Sequence, residues 1–360
     1  MYFSRRSFLS LLPGLSVAGL SLASCGDTGT TSSTTNSSSS MTLKVGQVTN
    51  SISFFPFFVA VQKGFIKAQG LTLDPPTPPS LNSGSKLATA VEAGGVDIGV
   101  GGLTDVFTIS RVDSTIKIVG GIAEAFILDV VASKSFEQQA HLTATSSLAD
   151  KVKALQGKKV GISAPNSATD ALITYLFRQQ GMDAQKDVEK VNLGADTFTD
   201  LAALKAGRVD AVAVTAPGGE IAEEQGIGNA FISPVRGDVP TMQGQLFGVA
   251  YIKQNTIDTK PKAVQAFIRA IAQAEDFIQK NPDQIEPLLE KYLHIDQKVA
   301  RLLWSATKSC MPLTPQVSQQ SYDTANQFHV KAGLIAVELA YKDLVATDTI
   351  NKALSGMTGS

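Results

Sequence analysis

The stretch "KKVGISAPNS" (residues 158–167) decides the fold, because the chain has already used nearly the same phrase, "LKVGQVTNS" (residues 43–51). Two further pairs follow in the same order: "IKAQGL" returns as "FRQQGM", and "AVEAGGVDIGV" returns as "ALKAGRVDAVAV". The second members of the three pairs are displaced by 115, 111 and 113 residues. Repeated segments that occur in the same order at nearly constant spacing indicate an internal duplication. We therefore predict that the chain builds one structural unit twice.

Each copy alternates strand-like and helix-like patterns. In the first copy "LKVGQVT" predicts a half-buried strand, "FPFFVAVQKGFIKAQG" predicts a helix that closes at Gly70, and "VDIGVGG" predicts a fully covered parallel strand. The second copy repeats this order with "KKVGIS", a helix from about residue 167 to 180, and "VDAVAVT". Strands that alternate with helices predict an α/β fold with a mostly parallel sheet in each half.

The repeated loops predict where a ligand binds. In open α/β sheets the ligand lies where loops leave the carboxyl ends of the strands. Two facing sheets would therefore place "TNSISFF" (residues 49–55) and "GGLTD" (residues 101–105) on one wall of a cleft. The segments "SAPNSATD" (residues 163–170) and "TAPGG" (residues 215–219) would form the other wall. We predict two lobes that close on one small molecule.

The first 40 residues predict export and membrane attachment. Paired arginines in "SRRSFLS" precede an uncharged run that ends in "LASC", which is typical of a signal peptide over residues 1–24. The pattern resembles a twin-arginine signal joined to a bacterial lipoprotein box, in which Cys25 is lipidated. Residues 25–40 would then be a Ser/Thr-rich flexible tether. The alternative is an uncleaved membrane anchor, which Pro13 and Gly14 disfavour.

Composition narrows the classes of function. The 360-residue chain has enough residues after the tether for two domains of ordinary size. Its net charge of −1 would become −3 on loss of Arg5 and Arg6 with the signal, so we expect no nucleic-acid partner. The three histidines, His141, His294 and His329, lie in unrelated segments. We therefore predict no metal site, no cofactor and no catalytic residue, although enzymes built on this fold remain the alternative.

Cysteine usage points to a protein that is stabilised by packing. The chain has two cysteines, Cys25 and Cys310. If Cys25 carries lipid, Cys310 has no intramolecular partner, so no disulfide forms within the chain even in an oxidising compartment.

Four segments resemble the solute-binding proteins of ABC importers, in the nitrate/sulfonate/taurine and thiamine-pyrimidine-precursor group. They are "FVAVQKGFIKAQGLTLD", "AVEAGGVDIGVGG", "LQGKKVGISAPNSATDALITYLFRQQGMD" and "LAALKAGRVDAVAV", within a resemblance that covers residues 43–333. The resemblance implies a two-lobed α/β fold of the periplasmic-binding-protein type II kind, which closes around its ligand by hinge motion.

The same resemblance implies a domain plan. Two crossovers near residues 125–132 and 245–251 would divide the chain into a discontinuous lobe 1 (residues 41–132 and 245–360) and a lobe 2 (residues 133–244). Amphipathic helices between residues 260 and 343 would pack outside lobe 1 and behind the hinge. The implied partners are a small-molecule solute, ABC permease subunits and the membrane, reached through lipid on Cys25 at the extracytoplasmic face. We expect a monomer.

The candidate ligand contacts come from the repeated loops. Residues 167–170 spell a capping box, and an anionic group could meet the N–H groups of that helix start. The alternatives are an ordinary helix cap here, ordinary turns for the small polar residues, and core packing for the two phenylalanines. The candidates are Thr49, Asn50, Ser51, Phe54, Phe55, Gly102, Thr104, Asp105, Glu124, Asn166, Ser167, Thr169, Thr215 and Pro217.

The charges near these loops favour a zwitterion over a bare anion. Asp105, Glu124, Asp129 and Glu220 are acidic, and Arg236 is the basic residue near them in the predicted fold. An acid group could bind at Ser167 and an amine at Asp105 or Glu124, although a solvated surface position is the alternative for each acid. We rank taurine or another organosulfonate first, a pyrimidine-type heterocycle stacked on Phe54 or Phe55 second, and nitrate third. A ligand sensor without transport is the further alternative.

Overall fold

The computed structural model describes residues 41–143 and 145–357. They belong to one compact unit. The predicted signal peptide, the tether and the lipidation site at Cys25 lie outside the described residues. Within the described part of the chain, no helix is long and apolar enough to span a membrane.

The described residues form eleven strands, several of them short. The strands are Thr42–Leu43 (β1), Val45–Gln47 (β2), Thr72–Leu73 (β3), Ile98–Gly102 (β4), Ile116–Ala123 (β5), Leu128–Ser133 (β6), Lys159–Ile162 (β7), Glu189–Asn192 (β8), Ala211–Thr215 (β9), Gly228–Ile232 (β10) and Gly248–Lys253 (β11).

Sixteen α-helices lie between and after these strands in the described ranges. The helices are Phe55–Gln62 (α1), Phe65–Ala68 (α2), Gly84–Glu92 (α3), Leu103–Ser110 (α4), Lys134–Ala140 (α5), Leu148–Ala154 (α6), Ala168–Gln179 (α7), Thr197–Lys205 (α8), Gly218–Glu224 (α9), Gln254–Thr259 (α10), Pro261–Lys280 (α11), Ile285–Leu293 (α12), Gln297–Thr307 (α13), Gln319–Ala332 (α14), Tyr341–Leu344 (α15) and Thr347–Leu354 (α16).

The two predicted copies have the same order of elements. The first runs β2, α1, β3, α3, β4, α4, with the short α2 inserted, and the second runs β7, α7, β8, α8, β9, α9. In both copies the first and third strands pair in parallel, with Val45 opposite Ile98 and Val160 opposite Ala211. The copies differ at the middle strand, because β3 pairs with β1 in a separate sheet whereas β8 pairs with β7.

Two larger sheets carry the fold, and both are mixed. The first sheet has the order β2-β4-β11-β5, and the second has the order β10-β6-β9-β7-β8. The prediction of mostly parallel sheets was wrong in this respect, because β11 is antiparallel to β4 and β5, and β6 is antiparallel to β9 and β10. Parallel pairing needs a helical crossover between neighbours, and the chain enters each sheet at these strands directly from the other sheet.

Two segments connect the sheets and touch each other. Residues 124–127 join β5 to β6, and residues 233–247 join β10 to β11, so the predicted crossovers overlap these connections and run on into the next strand. The Phe247 N–H donates to Ala123 O at 2.9 Å. The ring of Phe126 lies 4.9 Å from the rings of both Phe247 and Phe328. An aromatic cluster therefore fills the space where the two connections meet.

The C-terminal helices pack against both sheets. Helix α11 lies in the core of the first sheet, where Phe267 contacts Phe57 of α1 at 5.9 Å between ring centroids. Helix α14 reaches the second sheet, since Arg178 Nη1 of α7 donates to Lys331 O at 3.2 Å. Lys298 of α13 also pairs with Glu224 of α9 at 2.9 Å. The C-terminal helices therefore contact elements that belong to both sheets.

Glu275 of α11 is a buried acid with no visible partner. Its side chain is fully buried, and neither carboxylate oxygen has a hydrogen-bond partner among the described residues. Burial, together with repulsion from Glu124, raises the pKa of Glu275 well above its ordinary value of 4.5. The folded protein therefore retains a proton that the unfolded chain releases, so the free energy of unfolding falls as pH rises above that ordinary value.

We expect Glu275→Gln to raise the free energy of unfolding at neutral pH and to remove this decline, which for one proton is at most about 1.4 kcal/mol per pH unit. Urea unfolding from about pH 5 to 8 measures the effect. The control is Glu92→Gln, which neutralises an exposed acid at the end of α3. The same pH dependence in Glu275→Gln and wild type would contradict the assignment.

Candidate functional site

Three adjoining cavities lie at the carboxyl ends of strands from both sheets. The central cavity, of about 70 Å³, lies at the ends of β4 and β9 and beside the loops that follow β2 and β7. It shares Gly84, Asp105, Ser163 and Ser167 with a neighbour of about 270 Å³. It shares Thr49 with another of about 210 Å³. This is the edge of an α/β sheet at which ligands bind, so the cavities together form the candidate cleft.

The loop before α7 and the first turn of that helix supply hydroxyl groups to the second-sheet wall, which is the side of the cleft formed by the second sheet and its helices. Ser163, Ser167 and Thr169 all line the central cavity. Thr169 Oγ1 accepts from the Ser163 N–H at 2.8 Å and lies 2.8 Å from Ser167 Oγ. Asn166 lines the 270 Å³ cavity and has a φ of 61°, a left-handed conformation that asparagine tolerates. The sequence prediction placed three of these four residues at the ligand and omitted Ser163.

The capping box at α7 forms with one change. Ser167 Oγ accepts from the Asp170 N–H at 3.3 Å, as predicted. The Asp170 carboxylate accepts instead from the Asn166 N–H at 2.8 Å, one residue earlier than in the usual box. Lys190 of β8 pairs with Asp170 at 2.6 Å, and both side chains are largely buried. Lys190 therefore neutralises the cap and is not free to hold a ligand.

On the first-sheet wall, Thr49 lines two of the cavities, while its neighbours have structural partners. Asn50 lines the 210 Å³ cavity, but its amide donates to Tyr292 O at 3.1 Å and its oxygen accepts from Gln47 at 2.7 Å. Ser51 is fully buried, and its Oγ lies 3.5 Å from Ala216 O, beyond β9 of the second sheet. Ser51 therefore links the two walls instead of lining the cleft.

The aromatic candidates divide between cleft and core. Phe54 lines the central cavity. Phe55 does not, because helix α1 turns its ring inward, where it is fully buried 6.1 Å from the rings of Phe58 and Tyr292. Phe247, from the second connection, lines the cavity as well, and sequence reasoning missed it because the pairing of the two connections places it there.

Gly102 ends β4, and Thr104 and Asp105 lie in the first turn of α4, but only two of these three residues face the cleft. Gly102 and Asp105 line the central cavity, and Asp105 Oδ2 accepts from the Gly102 N–H at 3.0 Å. Burial raises the pKa of Asp105 to about 7, although that hydrogen bond opposes the shift. A side chain at Gly84 would collide with the Asp105 carboxylate, so a residue without Cβ is needed at the start of α3.

Thr104 points away from the cleft. It is buried, and its hydroxyl lies 2.8 Å from Nε2 of the buried His329 in α14. The other ring nitrogen, Nδ1, lies 2.7 Å from Ala325 O. A neutral ring that donates from Nδ1 and accepts at Nε2 satisfies both contacts, and burial lowers the pKa of His329 to about 4. The contact fixes α4 against α14, so we do not assign Thr104 to the site.

Of the last three candidates, two line the cavities and one does not. Thr215 lines the central cavity, and Pro217 lines the 210 Å³ cavity. Glu124 lies in the connection between the sheets, half buried and outside the lining of these three cavities, and burial raises its pKa. Its backbone N–H donates to Cys310 O at 3.0 Å. The structure therefore places Glu124 at the junction of the two sheets and not in the cleft.

Arg236 is held by acids of the second sheet. Its guanidinium contacts Glu223 at 2.6 Å and Glu220 at 3.4 Å. Asp129 belongs to the same cluster, and burial together with repulsion from Glu220 raises its pKa to about 7. The cluster lies outside the lining of the three cavities. Arg236 therefore does not supply a cation to the ligand.

Asp200 is a cleft residue that sequence reasoning missed. It lies on α8, lines the central cavity and is only 4% exposed. Burial and the neighbouring Asp196 raise its pKa to about 7. A signal was available: Asp200 precedes the apolar Ala203 and Leu204 by three and four residues, so helical spacing places all three on one buried face.

The described lining of the three cavities contains no lysine or arginine. Neither does the described part of the chain hold a cluster of histidine, cysteine or acidic side chains that could bind a metal ion. The central cavity offers hydroxyls, backbone N–H groups at the start of α7, the aromatic rings of Phe54 and Phe247, and the carboxyl groups of Asp105 and Asp200. The 210 Å³ cavity adds Asp196 and His294. These groups can bind a small polar solute.

Comparison with protein families and curated proteins gives consistent matches. The model of the NMT1-like family matches residues 37–290. The Bacillus subtilis protein YtlA is 24% identical over 345 residues, covering 87% of this chain and 90% of YtlA.

Solved structures show the same fold. The alkanesulfonate-binding protein SsuA of Xanthomonas axonopodis pv. citri, bound to MOPS, superposes with a TM-score of 0.65 at 17% identity, covering 85% of this chain and 99% of SsuA. The periplasmic nitrate-binding protein NrtA of Synechocystis PCC 6803 gives 0.66 at 14% identity, covering 89% and 90%. The predicted periplasmic-binding-protein fold is therefore confirmed.

The N-cap of α7 gives a test of the cleft. We expect Ser167→Ala to lose about 1 kcal/mol of stability and, because the cap orders the N–H groups at the cavity, to weaken solute binding about tenfold, or about 1.4 kcal/mol. Urea unfolding measures the first effect, and calorimetry with the tightest solute of a binding screen measures the second.

The matched control is Ser147→Ala. Ser147 caps α6 in the same way, since its Oγ accepts from the Asp150 N–H at 3.1 Å, but it is exposed and lies outside the lining of the three cavities. It should lose similar stability and keep full affinity. Equal affinity in both variants would remove α7 from the site.

Proposed function

This chain belongs to the NMT1-like family, and we propose that it is the extracytoplasmic solute-binding protein of an ABC importer. The observation that carries the proposal is the cleft itself. It combines the carboxyl ends of strands from two sheets, and two connections join those sheets. A pair of connections permits hinge closure, in which one sheet moves toward the other around a solute held between them.

The first candidate ligand is taurine or another small organosulfonate. Ser163, Ser167 and Thr169 lie at the start of α7, where backbone N–H groups and the helix dipole favour an oxyanion. Neutral donors can hold a dehydrated oxyanion, so the absence of lysine and arginine from the described lining does not exclude a sulfonate. The ligands named for SsuA and NrtA, MOPS and nitrate, also carry such oxygens.

A pyrimidine-type heterocycle is the second candidate. Phe54 and Phe247 both line the central cavity and offer aromatic surface to a flat ring. Phe247 replaces Phe55 in this proposal, because Phe55 lies in the core. Nitrate ranks third, since it would leave the apolar part of the lining unused. A sensor without transport would use the same cleft, and the presence of neighbouring permease and ATPase genes distinguishes the two.

The remaining parts of the proposal concern location and organisation. We propose export by the signal over residues 1–24, anchoring by lipid on Cys25, and delivery of the solute to permease subunits by a monomer. Residues 41–132 with 245–360 would move as one lobe and residues 133–244 as the other. We assign no catalytic residue.

A ligand screen tests the solute-binding proposal. We expect one solute class among taurine, alkanesulfonates, nitrate, thiamine pyrimidines and choline to raise the melting temperature of the purified protein. At 100 times its dissociation constant a ligand adds about 2.7 kcal/mol to the native state, which moves the midpoint by a few degrees. Mass spectrometry of co-purified solutes extends the search. A protein that binds none of these and carries no solute would contradict the proposal.

Anchoring has its own test. We expect wild-type protein expressed in bacteria to fractionate with membranes and to incorporate radiolabelled fatty acid, and Cys25→Ser to lose both properties because it has no thiol to acylate. The control is Cys310→Ser, since Cys310 is buried in the folded part. Membrane fractionation of Cys25→Ser at the wild-type level would overturn the lipoprotein assignment.

A further inference from the structure

We propose, on the basis of the solute-binding function above, that the cleft recognises a protonated nitrogen of its ligand through Asp105 and Asp200. The two carboxylates come from different parts of the chain. Asp105 begins α4, directly after β4 of the first sheet, and Asp200 lies in α8, which precedes β9 of the second sheet. Both line the central cavity. The ligand would thus be a small amine or a zwitterion, and not a bare oxyanion.

The state of Asp200 carries the inference. Its side chain is 4% exposed, it lines the cavity, and its Oδ1 has no hydrogen-bond partner among the described residues. A buried carboxylate oxygen without a partner costs free energy unless a donor reaches it. Asp200 lines the central cavity, from which a ligand would approach its carboxyl group. A ligand N–H or ammonium group would supply the missing partner.

In the described lining, His294 of the 210 Å³ cavity is the one side chain that could carry a positive charge, and it does not line the central cavity. The described lining of the three cavities contains no lysine or arginine. Two basic residues of the second sheet are already engaged, because Lys190 pairs with Asp170 at 2.6 Å and Arg236 pairs with Glu223 at 2.6 Å. The carboxylates of the cleft are therefore available to a positively charged ligand.

Asp105 is positioned to bind the same ligand as Asp200. Its Oδ2 accepts from the Gly102 N–H, and its other oxygen packs on Gly84, which lines both cavities that Asp105 lines. Phe54 and Phe247 complete the lining with aromatic rings, which attract cations and lower the local dielectric constant. An acid group of the same ligand could lie at Ser167 and the start of α7.

The inference also predicts a direction of pH dependence. Burial raises the pKa of both acids to about 7, with Asp196 adding to the shift at Asp200 and the Gly102 N–H opposing it at Asp105. The phenol of Tyr251 is the further titratable group that interacts with Asp105. Deprotonated carboxylates bind an ammonium group, so affinity for an amine should rise as pH increases through about 7.

The test uses probes that differ only at the nitrogen. Taurine and isethionate carry the same sulfonate with an amine or a hydroxyl group, and ethanolamine and ethylene glycol repeat the comparison without a sulfonate. We expect calorimetry to show that the amine member of at least one pair binds at least tenfold more tightly. Asp200→Asn and Asp105→Asn should each reduce that preference severalfold.

The control variant is Asp183→Asn, which removes an exposed carboxylate from the connection between α7 and β8 and should keep the wild-type preference. Equal binding within both pairs, no binding of either amine, or an unchanged preference in Asp200→Asn would overturn the inference. Tight binding of isethionate without an amine preference would overturn it and leave the solute-binding function standing. Failure of that function would show instead as no ligand in the full screen.

Discussion

The contact between the two connections is the constraint on which the cleft depends. Phe126 and Phe247 meet at 4.9 Å, Phe328 of α14 packs on Phe126 at the same distance, and the Phe247 N–H donates to Ala123 O. Leu103 at the start of α4 also donates its N–H to Phe247 O. One residue thus joins the end of β5, the start of β11 and the start of α4. The carboxyl ends of strands in both sheets meet beside this point, and Phe247 itself lines the cavity there.

The electrostatics of the cleft follow from how charges are paired around it. Lys190 pairs with Asp170, and Arg236 pairs with Glu223. These two cations therefore stabilise the fold and place no positive charge in the lining of the cleft. Asp105 and Asp200 remain at the cavity. The start of α7 offers N–H donors nearby. A cleft with donors in one region and carboxylates in another suits a ligand that carries both signs of charge more than it suits a simple anion.

Local sequence signals predicted much of this site. The duplicated strand, loop and helix phrases placed Thr49, Gly102, Ser167, Thr169 and Thr215 at strand ends, and all five line the central cavity. Such signals work because caps, turns and strand periodicity depend on neighbours within a few residues. They failed where a distant partner decides orientation: Thr104 contacts His329, 225 positions away, and Phe55 packs on Tyr292. Asp200 was missed although its helical spacing from Ala203 and Leu204 marked it as buried.

The sequence by itself determined the α/β class, the two copies and the loops that follow their strands. These predictions rest on short-range periodicity and on segments that are repeated within one chain. The tertiary structure alone decided that both sheets are mixed, since strand direction depends on how the chain crosses between them. It also decided which acids are paired. Glu220 and Glu223 hold Arg236 and Asp170 holds Lys190, whereas Asp200 faces the cavity with one oxygen unpartnered among the described residues. Pairing is a matter of distances of a few ångströms between residues remote in sequence, and only the packed chain sets them.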